Sequence, residues 1–294
     1  MRTPPFDIVK FTKMHGGGND YVYVYTDRRP VAAPARLARE ISDRHTGVGS
    51  DGLILIDTHR RADFRMRMYN ADGSEGEMCG NGIRCIGKYV YDHGLTRKRT
   101  LSILTRGGTV ELDLHVTRGR VDRVTVNMGP ARPVPRAFFR RADGEANMIE
   151  KTLRLRGKSH RLHVLSMGNP HCVIFVDDVA QAPVETLGPL LERHRWFPRR
   201  TNVEFVQVDG PTLIRQRTWE RGSGETLCCG SGACASAAAA AMTGRTGRAV
   251  TDQLVGGRLE LKITPGGDIL MTGPATEVFS GEWPNAKARA NVRP

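Results

Sequence analysis

Residues 233–242 read ACASAAAAAM, a run of small and apolar side chains. A membrane span needs about 20 apolar residues, so this run is too short to cross a bilayer. A helix that is apolar on every side must be buried, and small side chains allow surrounding strands to approach it closely. The run therefore predicts a buried central helix with a curved sheet around it.

The loop before this helix has a counterpart in the first half of the chain. Residues 220–232 read ERGSGETLCCGSG, and residues 70–82 read NADGSEGEMCGNG before a predicted helix at 83–91. A shared order of strand, loop, CGxG and helix indicates an internal duplication. We predict an α+β fold (α/β in some schemes) with two pseudo-symmetric domains, each a curved, mostly antiparallel sheet around a central helix.

The Gly-Pro pairs at 129–130 and 273–274 punctuate the two halves. They predict an N-terminal domain at 1–129, with 275–294 added to it, and a C-terminal domain at 130–274. The proline-bearing stretch 131–137 is the candidate linker. Runs of β-branched, aromatic and other apolar residues predict strands at 6–14, 21–25, 53–56, 64–69, 100–105, 109–115, 123–127, 163–166, 172–176, 203–208 and 213–218, and a short helix is predicted at 35–44.

Composition and charge narrow the class of protein. The chain has 294 residues, a net charge of +13 and 39% hydrophobic residues, which is typical of a globular protein of two domains. The positive charge is scattered and no nucleic-acid-binding motif accompanies it, so a solvated basic surface is favoured over a nucleic-acid partner. No signal peptide or membrane span is evident, and the expected location is the cytoplasm.

The six cysteines contain no CxxC pair, which argues against a zinc ribbon, and no metal is expected. Cys85, Cys172 and Cys234 fall inside predicted elements and are interpreted as small buried side chains. Cys228 is interpreted as structural, with a redox role left open.

Cys79 and Cys229 each stand immediately before a predicted helix. A helix start offers unpaired N–H groups and partial positive charge, which should lower a thiol pKa and bind a carboxylate. The neighbouring glycines allow a substrate to approach the backbone. Two such cysteines suit an epimerase in which one thiolate removes an α-proton and the other thiol returns a proton to the opposite face. No cofactor motif is evident, and catalysis without a cofactor is expected.

At these residues the sequence resembles the diaminopimelate epimerase family. Several motifs in the same order carry the resemblance: Lys13-Met14-His15-Gly-Gly-Gly-Asn19-Asp20, Arg44-His45-Thr46-Gly47-Val48-Gly49, residues 70–82, Gly168-Asn169-Pro170-His171, Thr201-Asn202-Val203-Glu204 and Glu220-Arg221-Gly222. The resemblance implies interconversion of LL- and meso-diaminopimelate for lysine and peptidoglycan synthesis, by a homodimer acting on this small molecule.

The resemblance also implies roles for individual residues. Cys79 and Cys229 are the implied acid/base pair, and His171 orients the reacting centre together with Glu220. Substrate contacts are implied for the remaining candidates, and for Asn19 a plain turn-forming role stays open: Asn19, Asn70, Gly80, Asn81, Asn169, Asn202, Glu220, Arg221, Gly230 and Ser231.

The chain departs from the family pattern at three positions. Gly52 stands where some members have glutamine, Gly17 where leucine is common, and Tyr21 where phenylalanine is common. Three alternatives remain open: a proline racemase-type enzyme, a basic nucleic-acid-binding protein, and a redox protein that links Cys79 to Cys229.

Overall fold

The computed structural model describes residues 6–27, 29–140 and 147–286. Within these ranges the chain folds into two compact units. The first comprises the described residues of Met1–Val124 and Pro274–Pro294, and the second comprises those of Thr125–Gly273.

The first unit is a sheet with one enclosed helix. Strand β1 is antiparallel to β2 and to β18, β2 is parallel to β3, β3 is antiparallel to β4, and β4 is parallel to β6, which forms a hairpin with β7. Its elements are β1 (Phe6–Gly16), β2 (Asn19–Tyr25), α1 (Pro34–Ser42), β3 (Gly52–His59), β4 (Ala62–Asn70), β5 (Glu75–Gly76), α2 (Gly80–Asp92), β6 (Thr100–Thr105), β7 (Gly108–Thr117), the first part of β8 (Arg120–Pro130) and β18 (Thr276–Ala286).

The second unit repeats this arrangement. Strand β10 is antiparallel to β9 and β11, β11 is parallel to β12, β12 is antiparallel to β13, and β13 is parallel to β15, which forms a hairpin with β16. After the end of β8 its elements are β9 (Met148–Leu155), β10 (Lys158–Ser166), β11 (Pro170–Phe175), α3 (Val184–Glu192), β12 (Asn202–Gly210), β13 (Leu213–Glu220), β14 (Gly224–Thr226), α4 (Gly230–Met242), β15 (Ala249–Leu254), β16 (Gly257–Ile263) and β17 (Asp268–Pro274).

The order of antiparallel and parallel pairs is thus the same in both units, and each contains one helix that begins right after a CGxG cysteine. Helix α4 is buried along most of its length, and its neighbours include β10, β11, β12, β13, β15 and β16. Helix α2 contacts β1, β2, β7 and β18. These features confirm the predicted fold class.

The sequence-based boundaries differ from the structure in informative places. Both central helices begin about one turn before the predicted start, because Cys79 and Cys229 cap them directly. Helix α3 and strand β9 were not predicted, and Pro189 inside α3 hides its helical pattern. The stretch 131–137 packs into the second unit instead of forming an extended linker: Arg132 pairs with Ser166 and Val134 is buried.

No helix within the described ranges is long and apolar enough to cross a membrane.

One carboxyl of the second unit is buried without a hydrogen bond from any described residue. Asp252 on β15 is 0% exposed, and neither of its carboxyl oxygens has a hydrogen-bond partner among the described residues. Burial raises its pKa well above the ordinary value of 3.8, and the negative charge of Glu204 raises it further. Asp252 therefore holds its proton more tightly in the folded protein than in the unfolded chain.

We expect Asp252→Asn to change how stability depends on pH. The folded pKa of Asp252 is raised, so the stability that its proton supplies is complete below about pH 3.8 and is lost as pH rises towards the folded pKa. In this range the free energy of unfolding falls by about 1.4 kcal/mol per pH unit. An asparagine does not titrate, so the variant lacks this fall. Urea denaturation at about pH 5 and pH 8 should give a larger advantage for the variant at the higher pH. The exposed Asp177→Asn is the control, and an equal advantage at both pH values would contradict the assignment.

Candidate active site

Two cysteine side chains cap the central helices. Cys79 has extended backbone angles, φ −126° and ψ 119°, and its sulfur accepts a hydrogen bond from the Gly82 N–H at 3.4 Å. Cys229 has φ −109° and ψ 105°, and its sulfur accepts from the Gly232 N–H at 3.3 Å. Each sulfur thus occupies the place that a Ser or Asp oxygen takes in an ordinary helix cap.

The thiol of Cys79 faces a fixed amide. Its sulfur lies 3.2 Å from Asn19 Oδ1, and Asn81 Nδ2 lies 3.5 Å from the same oxygen. Asn19 donates its Nδ2–H to Asp51 Oδ2 at 2.7 Å. Because a carboxylate can only accept, this bond fixes the amide with its oxygen towards Cys79, and the Cys79 thiol is the donor.

A network of charges holds Asn19 and its strand in place. Asp20 pairs with Lys13 at 2.6 Å and with Arg44 at 2.9 Å, and Arg44 also reaches Asp51 at 2.8 Å. Burial favours the neutral form of Asp20, but hydrogen bonds from Arg44 and Lys13 outweigh it and lower its pKa. Burial and the negative charge of Asp20 raise the pKa of Asp51. The two cations therefore balance a pair of neighbouring carboxyls next to the cysteine.

Tyr21 explains the departure at Gly52. The two residues are register partners on β2 and β3, and a Cβ on Gly52 would lie 2.9 Å from Tyr21 Cε1 and would clash with the backbone oxygen of Tyr69. A glutamine cannot occupy position 52 with this backbone. Tyr21 is buried, and burial together with the nearby Cys79 raises its pKa well above the ordinary value.

Two further asparagines of the first unit hold backbone turns. Asn70 donates to Ser74 Oγ at 2.9 Å across the loop that follows β4. Asn81 is buried, and its Oδ1 accepts from Arg84 Nη2 at 2.8 Å. Arg84 is 0% exposed and also donates to Gly80 O at 3.2 Å, so this guanidinium braces the start of α2 from inside.

Cys229 lies among carboxyl groups. Glu220 is hydrogen-bonded to the Cys229 thiol, and its Oε1 accepts from Thr226 Oγ1 at 2.5 Å. Burial raises the pKa of Glu220. Burial also raises the pKa of Cys229 well above its usual value, and the charges of Glu220 and Glu204 add to this, against the opposing hydrogen bond from Gly232. The expectation that the helix start lowers the thiol pKa is therefore wrong for Cys229, which is a thiol at neutral pH.

His171 is held at both ring nitrogens. Its Nδ1 lies 2.7 Å from Glu204 Oε1, and its Nε2 lies 3.0 Å from Asn169 Oδ1. His171 and Glu204 are both 0% exposed. The ring is thus locked between a buried carboxyl and a half-buried amide.

Asn202 fastens the loop that carries Arg221. Its Nδ2 donates to Pro170 O at 3.1 Å and its Oδ1 accepts from the Arg221 N–H at 2.9 Å. The next residue, Gly222, donates its N–H to the buried Glu192 at 3.0 Å. The Arg221 side chain is exposed, and its Nη1 donates to Arg199 O at 3.4 Å.

The predicted candidates therefore form two groups. Around the first cysteine the structure brings together Cys79, Gly80, Asn81 and Asn19, while Asn70 pairs with Ser74. Around the second lie Cys229, Gly230, Ser231 and Glu220, with Ser231 Oγ 3.7 Å from the sulfur. In the same unit, His171 binds Asn169, and Asn202 binds the backbone of Arg221.

Several residues of these surroundings had no role in the sequence analysis. Glu204 is a charged residue between the apolar Val203 and Phe205 of its strand, and this interruption is the signal that could have revealed it. Within the residues that the structure describes, no group of three or more His, Cys, Asp or Glu side chains is arranged to hold a metal ion. The residues without an earlier role are Lys13, Asp20, Arg44, Asp51, Arg84 and Glu204.

The fold is shared with several solved structures. The chain matches a hydroxyproline epimerase from Agrobacterium vitis with a TM-score of 0.67 and 16% identity, over 98% of this chain and 95% of that one. It matches a PhzF-family phenazine biosynthesis protein from Bacillus anthracis with a TM-score of 0.68 and 16% identity, over 94% and 99% of the two chains. At this identity the likeness concerns the fold alone.

Closer relatives share the sequence as well. A family model described as diaminopimelate epimerase matches residues 11–134 and 163–278. A diaminopimelate epimerase from Leptospira biflexa is 48% identical over 275 residues, which cover 93% of this chain and 98% of that protein. One from Bacteroides thetaiotaomicron is 50% identical over 275 residues, which cover 93% and 97%. This chain belongs to the diaminopimelate epimerase family.

Proposed function

We propose that the protein is a diaminopimelate epimerase that interconverts the LL and meso forms without a cofactor. The observation that carries the proposal is the repeated helix cap: in each unit a cysteine sulfur sits at the first turn of the central helix and accepts its N–H. The family membership supplies the substrate. We also expect a cytoplasmic homodimer that serves lysine and peptidoglycan synthesis, as the resemblance implies.

In the proposed reaction Cys79 and Cys229 are the acid/base pair. A thiolate takes the proton from the α-carbon, and the electron pair remains as a carbanion that is delocalised into the carboxylate. The other cysteine then gives its thiol proton to the opposite face. One turnover leaves the first cysteine protonated and the second ionised, so the reverse direction uses the same groups with exchanged roles.

Binding of the reacting carboxylate is proposed for the helix starts. Gly80 and Asn81 begin α2, and Gly230 and Ser231 begin α4, so their N–H groups are among those without an intrahelical partner. Such groups stabilise negative charge, and they do so most strongly where water is excluded. The same dipoles would stabilise the carbanion as it forms.

Recognition of the distal amino-acid end is proposed for Arg221 and the asparagines. Arg221 is exposed and can grip a carboxylate with two parallel hydrogen bonds. Asn19, Asn70, Asn169 and Asn202 already bond to the protein, and these bonds fix the orientation in which each amide would meet a substrate.

Solvent deuterium tests the substrate. In deuterium oxide the enzyme should place deuterium at the α-carbon of LL-diaminopimelate as it forms the meso product, because the returning proton comes from an exchangeable thiol. Mass spectrometry of substrate and product measures this, with proline as the control amino acid. Exchange into proline alone would favour a proline racemase-type enzyme, and exchange into neither would refute both assignments.

Replacing either proposed acid/base cysteine should abolish turnover. We expect Cys79→Ser and Cys229→Ser to lower kcat by at least about 10²- to 10⁴-fold, because a serine hydroxyl is a far weaker acid and base. Cys85→Ala in α2 and Cys234→Ala in α4 remove buried thiols from the same two helices and serve as controls. Full activity in either serine variant, with a normal unfolding temperature, would refute the assignment of these two cysteines as acid and base.

Removing the charge of Glu220 should make Cys229 easier to ionise. The negative charge of Glu220 raises the pKa of Cys229, so Glu220→Gln should shift the titration of this thiol to lower pH. The pH dependence of Cys229 alkylation, followed by peptide mass spectrometry, measures the shift. Glu225→Gln in the same loop, where Glu225 pairs with Arg217 at 2.7 Å, should leave it unchanged. A shift to higher pH in Glu220→Gln would contradict the electrostatic account.

A further inference from the structure

The carboxyl group of Glu204 is buried at a cost in stability. It lies inside β12 with 0% exposure, and its Oε2 has no hydrogen-bond partner among the described residues. An unpaired buried acceptor destabilises the folded state, and an apolar side chain would avoid that cost. The fold therefore gives up stability to keep a carboxyl at this place.

The other oxygen of the Glu204 side chain is bonded to His171. Glu204 Oε1 lies 2.7 Å from His171 Nδ1, on the neighbouring parallel strand β11. An ionised carboxylate only accepts, so Nδ1 carries a proton and donates it. The two ring nitrogens of an imidazole are linked in this respect: the hydrogen bond that one of them makes decides the role of the other. The other ring nitrogen, Nε2, lies 3.0 Å from Asn169 Oδ1.

The same carboxyl also lies at the start of α4. A Cβ built on Gly232 would lie 2.9 Å from Glu204 Oε1, 3.1 Å from Gln216 Nε2 and 3.2 Å from Cys229 Sγ. These three groups therefore surround one point, which only a glycine leaves vacant. Glu204 Oε1 and Cys229 Sγ therefore border the same space at the start of α4, and the same Glu204 oxygen is bonded to His171.

We propose that Glu204 is a positioning residue that acts through His171, holding the Nδ1–H so that Nε2 is presented on the Asn169 side of the ring. The inference rests on the proposed function, in which His171 orients the substrate at the reacting carbon. Without the carboxylate, the ring can rotate or adopt the other tautomer, and the position of Nε2 is no longer fixed. Because a small misplacement of an orienting group costs about 10²-fold in rate, the effect falls on kcat.

The test begins with the wild-type protein and needs no substrate. Two-bond ¹H–¹⁵N spectra of the histidine side chains, assigned with His171→Gln, report which ring nitrogen carries the proton. We expect a protonated Nδ1 throughout the pH range in which the enzyme is folded. An unprotonated Nδ1 in the folded wild type overturns the proposal even if no Glu204 variant can be purified.

The variant Glu204→Gln retains the shape and removes the charge. We expect kcat for LL-diaminopimelate to fall by about 10- to 100-fold, KM to change by less than about threefold, and the Nδ1–H signal of His171 to weaken or shift. Asp252→Asn removes another carboxyl with 0% exposure from the same unit and should preserve both the His171 signal and kcat. Unchanged kcat and an unchanged His171 spectrum in Glu204→Gln refute the role. A wild-type enzyme that fails to epimerise diaminopimelate would refute the proposed function instead, and the spectra would still decide whether Glu204 holds His171.

Discussion

The hydrogen bond from a helix N–H to a cysteine sulfur is the constraint on which the surroundings of the cysteine in each unit depend. It fixes the sulfur of Cys79 against Gly82 and that of Cys229 against Gly232. Packing favours glycine at the end of each CGxG: a Cβ on Gly82 would lie 2.6 Å from Ile54 Cδ1, and one on Gly232 would crowd a buried carboxyl and the sulfur itself. The glycine therefore allows the start of each helix to pack against its own sheet. The absence of a side chain also leaves room for a substrate.

The two units share this cap but surround it with different chemistry. The sulfur of Cys79 lies against the amide oxygen of Asn19. Asp51, which belongs to the network of charges, accepts a hydrogen bond from this amide and holds it in place. The sulfur of Cys229 meets Glu220, with Glu204 close behind the first turn of α4. A duplicated fold thus repeats the backbone geometry, while side chains that enter from neighbouring strands give each sulfur a different environment.

The elements that could be predicted from the sequence are those with a strong local signal. The alanine-rich run of α4 and the recurrence of CGxG indicated the central helices and the duplication, because burial of an all-apolar helix leaves few alternatives. Helix α3 was missed, since Pro189 disguises it. The raised pKa of Cys229 was also missed, because the helix start argues for the opposite direction and the carboxyls that reverse it come from β12 and the end of β13. The direction of this shift depends on which side chains the fold brings next to the thiol, and the residues around Cys229 in the sequence do not specify them.

The carboxyls beside Cys229 also affect when its thiol can ionise and act as a base. In the absence of substrate, burial and the charges of Glu220 and Glu204 raise its pKa, so the sulfur holds its proton and is a poor nucleophile. An amino-acid substrate carries an ammonium group, and a positive charge placed near Glu220 offsets the negative charges that oppose ionisation. Under the proposed mechanism the Cys229 thiolate would then form most readily when the substrate is bound. A cysteine that is inert in the empty enzyme and reactive in the complex is protected from oxidation without losing its strength as a base. In this fold burial of the Cys229 thiol contributes most to the raised pKa, and the charges of Glu220 and Glu204 add to it.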